Sequence, residues 1–481
     1  MMKQKKFDTK VQHLKYKVLR EVARLAWKGT LTENLLDVPK IISPGPEPTM
    51  RCCVYKERAI VEERIKMAMG GDKNNPNAIQ VIEIACDECP VGGYEVSEAC
   101  RGCLAHRCED ACPRGAITHD GTHKAHIDKS KCIECGKCAS VCPYGAILNH
   151  KRPCERACKV KAISMSETKA AKIDNNKCIS CGACVYQCPW GAISDKSYIL
   201  DVIDLIQKSN HNNDYKVYAV VAPSIASQFS YATLGQVVSG MHELGFHTVV
   251  EAALGGDIVA MAESRELVEK GVLTSSCCPA FVSYIKKQFP DLEPYISPNP
   301  SPMVAMGQYI KKIDPTAKVI FIGPCTAKKM EFNLDSAKDY VDSVITFEEL
   351  QALYDSRDID IMTLDETPLD NASYYGRIFA RSGGLSDAVV QALKEQGIDN
   401  FDLKAEICDG IEACRIALLK ASKRVLNANF IEGMACSGGC IGGAGCLTHG
   451  DKNKAEVDKY GKEAMEKTIG DAIKVLNMEN Q

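Results

Sequence analysis

The chain has 481 residues, 59 basic against 62 acidic side chains and 45% hydrophobic residues. That is enough for two or three domains with a sizeable core, and a net charge of −3 offers no basic face to nucleic acid or to a membrane surface. Its 26 cysteines sit in a chain too long for a disulfide scaffold. No apolar h-region follows the basic Met-Met-Lys-Gln-Lys-Lys start and no run is long enough to span a bilayer, so a reduced, cytoplasmic protein with metal-binding thiolates is expected.

Residues 1–75 read as a helical N-terminal region. Val11–Trp27 carries apolar residues at helical spacing, Asn34–Pro48 reads as a Pro-rich connection, and Ile60–Met69 as a second short helix. Cys52 and Cys53 are adjacent, cannot easily chelate one metal, and are expected to be structural or free thiols.

Residues 76–200 are internally repeated: a Cys-rich run, then Pro, then Gly-Ala-Ile. The repeat ends at Cys112–Ile117, Cys142–Ile147 and Cys188–Ile193, with a degenerate copy at Cys158–Ile163. Cys132, Cys135, Cys138 and Cys142 make C-x2-C-x2-C-x3-C-P, and Cys178, Cys181, Cys184 and Cys188 repeat it. Such tight spacing suits the corners of a 4Fe–4S cube, whereas four-thiolate zinc uses two separated C-x2-C pairs. In two-cluster ferredoxins the fourth Cys of each run ligates the other cube. The expected sets are therefore Cys132, Cys135, Cys138 with Cys188, and Cys178, Cys181, Cys184 with Cys142.

Cys100, Cys103, Cys108 and Cys112 form a third run with a longer middle gap. Exchange works in pairs, so this run needs a partner. Cys86 and Cys89 match the first two positions of a run, Cys154 and Cys158 the last two, and together they are expected to supply a split fourth run paired with the third. Three accessory cubes follow from the complete runs and a fourth from the split one. His106, His119, His123 and His126 lie among them and are expected to be solvated surface residues.

Residues 201–481 read as α/β. Strand-like runs at Val217–Ala222, Val319–Ile322 and Asn429–Ile431 alternate with helical stretches such as Ile258–Lys270. Ligand sites in open α/β sheets lie beyond the carboxyl ends of the strands. Three Cys-bearing elements stand out: Ser275–Ala280, Gly323–Glu331 and Glu432–Gly443. Read from their residues, Cys278, Cys325, Cys436 and Cys440 can hold one more cube, Cys277 is left as a reactive thiol, and Lys328 stands one turn past its Cys. No GxGxxG after a strand and no P-loop is present, so no nucleotide site is expected.

These three elements resemble the signature motifs of iron-iron (FeFe) hydrogenases, in order, from about Tyr215 to about Thr448. The resemblance implies an α/β catalytic domain preceded by a ferredoxin-like (α+β) multi-cluster segment. It implies an H-cluster: a cube bound by Cys278, Cys325, Cys436 and Cys440, joined through Cys440 to a di-iron unit carrying CO, cyanide and azadithiolate. Cys277 would then exchange protons with the azadithiolate nitrogen, Lys328 would bond a cyanide, Pro223 and Ser224 would contact another, and Met434 would pack over the di-iron unit. A proton route Cys277, Glu263, Ser297, Glu266 follows from the same likeness; Glu263 and Glu266 share a helix face.

The implied activity is reversible interconversion of protons plus electrons with dihydrogen. The implied partners are ferredoxin or a similar small carrier, and maturation proteins for the di-iron unit, with neither nucleic acid nor membrane. Departures from the family pattern mark a divergent subgroup. Gly323 stands where Met is common and is expected to loosen the pocket. Ser275-Ser276 and Phe281 replace Thr-Ser and Trp, and Gly443-Ala444-Gly445-Cys446-Leu447 replaces Gly-Gly-Gly-Gln-Pro. Cys446 is either a packed small residue or a second reactive thiol; Cys408 and Cys414 read as core. The rival readings are a sensor built on the same site, an iron–sulfur assembly protein lacking the di-iron unit, and a pure electron-transfer module.

Overall fold

The computed structural model describes residues 6–89, 92–474 and 476. The first helix runs Lys10–Trp27, one residue longer than its pattern, because Thr9 and Gln12 form a reciprocal capping box. Its stripe Val18, Leu19, Val22 and Ala23 is buried against the helix Phe347–Ser356 of the α/β part. The second helix is Val54–Ala68, six residues earlier at its start than Ile60, because the Cys53 thiol caps it by accepting the Lys56 N–H at 3.5 Å. The Pro-rich connection is partly helical, at Leu31–Asn34 and Val38–Ile42. Pro39 sits in the first turn of the latter, where a missing N–H costs nothing.

The Cys-rich segment is built of short antiparallel pairs: Ile79–Val81 with Ile193–Asp195, Tyr94–Val96 with Ile147–Asn149, Ile117–His119 with Ala125–Ile127, and Ile163–Met165 with Ala171–Ile173. Each Gly-Ala-Ile tail opens one of these strands, and the alanines Ala116, Ala146, Ala162 and Ala192 are all buried. Each also donates its N–H to the last Sγ of its run, at 3.3 Å to Cys112, 3.4 Å to Cys142, 3.2 Å to Cys158 and 3.3 Å to Cys188. The preceding residue is left-handed in all four: Gly115, Gly145, Gly191 and, in the degenerate copy, Lys161 at φ 53°. The copy without glycine therefore keeps the turn despite the strain a side chain meets there.

The α/β part holds two parallel sheets. One is ordered Thr248–Glu251, Val217–Val221, Lys318–Gly323, Ser343–Thr346; the other Leu273–Thr274, Phe430–Met434, Ala405–Asp409. The inner strands are almost wholly buried, as their continuous apolar runs require. The long helix Ala252–Lys270 begins six residues before the expected Ile258. No helix among the described residues is long and apolar enough to cross a membrane.

Buried charges tie the three regions together. Asp195, from the Cys-rich segment, accepts from Lys15 of the first helix at 2.6 Å and from Lys329 of the α/β part at 2.8 Å. Lys329 also meets Glu349 at 2.7 Å.

Candidate active site

Four loops converge, and each leaves the carboxyl end of a parallel strand. Val217–Val221 leads to Pro223 and Ser224, Leu273–Thr274 to Cys277 and Cys278, Lys318–Gly323 to Cys325, and Phe430–Met434 to Cys436 and Cys440. The turns fit because small residues let backbones touch: a Cβ on Gly433 would stand 2.4 Å from the Phe281 ring. Ser275 Oγ accepts the Gly433 N–H at 3.1 Å, joining the first and third motifs. Glu432 accepts from Gly383 N, Ser386 N and Ser386 Oγ at 2.7, 2.8 and 2.6 Å, which fixes the third motif from behind.

Cys278, Cys325, Cys436 and Cys440 are electrostatic neighbours. Burial pushes Cys325 up to about 11 and Cys440 up to about 12, and repulsion from the neighbouring thiolates adds to it. Burial likewise drives Cys436 and Cys277 well above the ordinary thiol value, Cys277 feeling Glu263 and Cys278 next. A set of buried thiols this costly to ionise fits a group whose iron compensates the charge. Lys328 is buried, paired to Glu331 at 2.6 Å, with Nζ 3.5 Å from the Cys277 carbonyl; burial opposes its charge but Glu331 and the thiolates raise it. The Ser224 hydroxyl is buried with no hydrogen-bond partner among the described residues, which leaves it free to donate to a ligand. Met434 is buried at the end of its strand. These residues fit an H-cluster: the four thiols would hold the cube, and Ser224 and Lys328 would donate to cyanides.

Gly323 does not loosen the pocket. A Cβ there would meet the Phe321 ring at 2.6 Å and Ala222 Cβ at 3.0 Å, so Phe321 already occupies the space where the family's Met would begin. Cys446 is fully buried, with Sγ toward the carbonyls of Ile441 at 3.4 Å and Cys440 at 3.8 Å, so it packs beneath the Cys440 turn. Cys408 and Cys414 are buried in the core around Phe281 and Ile285.

The structure places Glu263 against Ser276, and Ser297 against Glu266. Glu263 is completely buried on the inner face of Ala252–Lys270, and burial raises its carboxyl to about 7 even though the Ser276 N–H and hydroxyl bond to it. Ser276 N and Oγ both lie 3.2 Å from Glu263 Oε1, while Glu263 Oε2 is buried without a partner. Ser297 Oγ donates to Glu266 Oε2 at 3.2 Å, and Glu266 meets the half-exposed Lys270 at 2.6 Å. Sequence reasoning missed two members. Ser276 steadies Glu263, and Asn299 Nδ2 bridges Ser297 Oγ at 3.0 Å and Glu266 Oε2 at 2.9 Å. The signal for Asn299 was its place between two prolines two residues after Ser297.

The accessory thiols group differently from the expected exchange. Cys112 neighbours Cys132 and Cys138 and lines one small cavity with Cys132, Cys135 and Cys138. Cys142 neighbours Cys103 and Cys108. Cys158 joins Cys178, Cys181 and Cys184, and Cys188 joins Cys86, Cys89 and Cys154. Each run thus exchanges with its neighbour in sequence. The pairings of Cys132, Cys135 and Cys138 with Cys188, and of Cys178, Cys181 and Cys184 with Cys142, do not occur. The physical reason is the pairing of Tyr94–Val96 with Ile147–Asn149, which closes the first two runs into one module before Cys154 begins the next. The split run pairs with the Cys178–Cys188 run rather than with Cys100–Cys112. Cys158's set lies against the site: Thr326 Oγ1 donates to Ser180 O at 2.7 Å, and Gly182 packs on Thr326 and Ala444. A cavity of about 740 Å³ opens there beside Cys181 and Cys436.

The histidines are not all solvated. His106 and His119 stack with ring centroids 3.7 Å apart, each with Nδ1 3.1 Å from Glu109. His126 pairs with Asp120 at 2.6 Å.

Comparison with known proteins accords with this geometry. Residues 215–444 match the family described as "Iron only hydrogenase large subunit, C-terminal domain", residues 99–146 the "4Fe-4S dicluster domain" and residues 131–191 the "4Fe-4S double cluster binding domain". The chain is 24% identical over 321 residues to "Iron hydrogenase 1" of Clostridium pasteurianum, covering 55% of each protein. It is 28% identical over 383 residues to the "Periplasmic [Fe] hydrogenase large subunit" of Nitratidesulfovibrio vulgaris, covering 68% of this chain and 87% of that one. A 138-residue stretch is 35% identical to the "Cytosolic Fe-S cluster assembly factor NAR1" of Botryotinia fuckeliana, covering 24% of each. The chain thus spans little more than half of the first of these relatives. A solved [FeFe]-hydrogenase structure, from work on oxygen inactivation of the H cluster, superposes with a TM-score of 0.50 at 20% identity over 59% of this chain and 94% of that one. The fold is that of an iron-only hydrogenase catalytic domain preceded by ferredoxin-like 4Fe–4S segments.

Proposed function

We propose that this chain is an FeFe hydrogenase of a divergent subgroup, interconverting protons plus electrons with dihydrogen and exchanging electrons with ferredoxin or a similar small carrier. What supports this reading is the grouping of Cys277, Glu263, Ser297, Glu266 and Lys270 between the thiol pocket and the surface: Glu263 is the foremost charge acting on Cys277, and Ser297 bonds Glu266, which meets Lys270. When bound, the H-cluster supplies a Lewis-acidic iron beside a bound amine, the pair that heterolytic cleavage of dihydrogen needs.

The chain's own residues do the rest. Cys277 holds a proton at Sγ, since burial disfavours its thiolate. Glu263 takes up or releases a proton near neutral pH, where its affinity suits both directions of transfer. Ser297 and Asn299 align Glu266, and Lys270 marks the exit. Lys328 and Ser224 offer donors to anionic ligands, a charge-assisted contact in the case of Lys328. Loading would depend on maturation proteins. We take the chain's compartment to be the cytoplasm.

Infrared spectroscopy of protein matured with its di-iron unit tests the reading. Metal-bound CO and cyanide stretches are expected, together with dye-driven evolution or uptake of dihydrogen. A fully loaded protein that shows neither gas activity would overturn it, and a protein that takes up cubes but never these bands would place it with the assembly factors.

A further inference from the structure

The charges around the innermost pair of accessory sites are unbalanced. Most other buried cations of this fold meet carboxylates: Lys329 with Asp195 and Glu349, Arg377 with Glu251 and Asp370, Lys328 with Glu331; Lys196, bonded to Asn75 O, is the exception. Arg64 and Arg152 break that habit. Arg152 is 1% exposed, donates from Nη2 to Lys169 O at 2.5 Å, and leaves Nε and Nη1 buried with no partner. Arg64 is buried, donates from Nη2 to Trp190 O at 3.2 Å, and leaves Nε buried with no partner. Among the described residues neither guanidinium forms an ion pair with a carboxylate. An uncompensated buried cation costs several kcal/mol, so two of them in one place call for an anion.

What both face is the same thiol set. Arg152 is the cation that acts on Cys89, and Cys188 is the anionic group that acts on Arg64. Arg64 reaches Cys188 because Gly191, in the turn after it, has no side chain; a Cβ there would stand 2.6 Å from Arg64 Nη2. The set is prepared for sulfur ligation in other ways as well. Cys188 Sγ accepts the Ala192 N–H and Cys86 Sγ the Ala171 N–H, both at 3.3 Å, the bond each complete run makes at its last Cys. Cys86, Cys154 and Cys188 are among the most buried of the thiols, in one cluster with Ile79 and Ile193.

We propose that Cys86, Cys89, Cys154 and Cys188 hold a fourth accessory 4Fe–4S cube, and that Arg64 and Arg152 are its counter-ions and make it the most readily reduced of the accessory cubes. This rests on the reading of the repeated segment as cube-binding. With four thiolates the cube is a dianion when oxidised. It gains one electron, from the carrier or from dihydrogen oxidation through the inner cube, and becomes a trianion; no proton or bond change is involved. Two fixed positive charges in a dry site favour the trianion. The outer module shows no such pair: its basic side chains, among them Arg101, Arg114, Lys131 and Lys137, are exposed, where water screens their charge. The fourth cube would act as an electron store between the outer module and the set of Cys158, Cys178, Cys181 and Cys184, holding one electron while a second arrives.

The test is EPR-monitored redox titration with dithionite, with iron and sulfide analysis, on the whole protein carrying its cubes. Arg152→Gln and Arg64→Gln should each lower the midpoint of one cube, and the same cube, by roughly tenfold in its reduction equilibrium, about 59 mV for a one-electron couple. The other midpoints should stay in place, and Arg152→Lys should restore most of the shift, which a merely structural role would not do. Cys86→Ala with Cys89→Ala should remove that signal. Unmoved midpoints in both Gln variants, or undiminished iron in the double Cys variant, would overturn the proposal. Loss of every cube signal from wild-type protein would instead defeat the reading it rests on.

Discussion

The two walls of the site are built on different principles. The electron wall is a packed contact: the Gly182 turn presses on Thr326 and Ala444 beside an open cavity of about 740 Å³. The wall we assign to protons consists of single groups, Glu263, Ser297, Asn299 and Glu266, with one fully buried carboxyl at its head. Electrons cross a gap without needing any one atom, so the first wall tolerates solvent and small changes. A proton needs a donor or acceptor at every step, so the second tolerates neither.

That contrast sets the order of expected effects. Glu263→Gln keeps the volume but removes the proton carrier, and should lower dye-driven turnover by about 100-fold or more with the infrared bands and iron content unchanged. Near-normal turnover would remove Glu263 from the route. Ser297→Ala breaks one bond that Asn299 spans in parallel, so a loss of roughly tenfold is expected, with Asn299→Ala smaller still. A larger loss for Asn299→Ala would mean that the amide, not the hydroxyl, keeps Glu266 aligned. On the electron wall Cys158→Ser should abolish most ferredoxin-driven activity while leaving most dye-driven activity, since dyes reach the site by other paths. Equal loss in both assays would show that the wall is as intolerant as its partner.

The smallest effect separates two acids on one helix. Asp257, like Glu263, lies buried on Ala252–Lys270 and burial raises it to about 7, but it is bonded to Ser373 at 2.5 and 2.8 Å, away from the route. A carboxyl whose folded value lies above its unfolded one keeps a proton on folding, so stability is full at low pH and falls as pH rises from about 4 to about 7. Asp257→Asn should leave turnover alone and remove a slope on the order of 1.4 kcal/mol per pH unit over that window. Denaturant unfolding at pH 5 and pH 7 measures it; an unchanged slope would mean that the acid is ionised in the folded protein.

The converging loops were legible in the sequence because each motif is local: Cys277–Cys278, Cys325 and Cys436–Cys440 sit in loops whose small residues announce close backbone approach. The strands that feed them were legible for the same reason. Exchange between runs was not legible, because which run faces which is decided by a distant strand pair, Tyr94–Val96 with Ile147–Asn149. The degenerate repeat looked weakened for want of glycine, yet Lys161 adopts the glycine's conformation. Gly323 looked like a void because the ring that fills it, Phe321, lies two residues earlier on the same strand and turns back over it. Arg64 and Arg152 act through tertiary neighbours, and nothing in their local spacing betrays this.

The knot at Asp195 has a mechanical consequence. With Lys15 from one end of the chain and Lys329 from beside the cysteine motif both clamped to a single carboxylate, the wiring cannot swing away from the reactor without stranding buried ions. On the proposed function, control of electron flow would then act through the potentials along the relay rather than through a hinge.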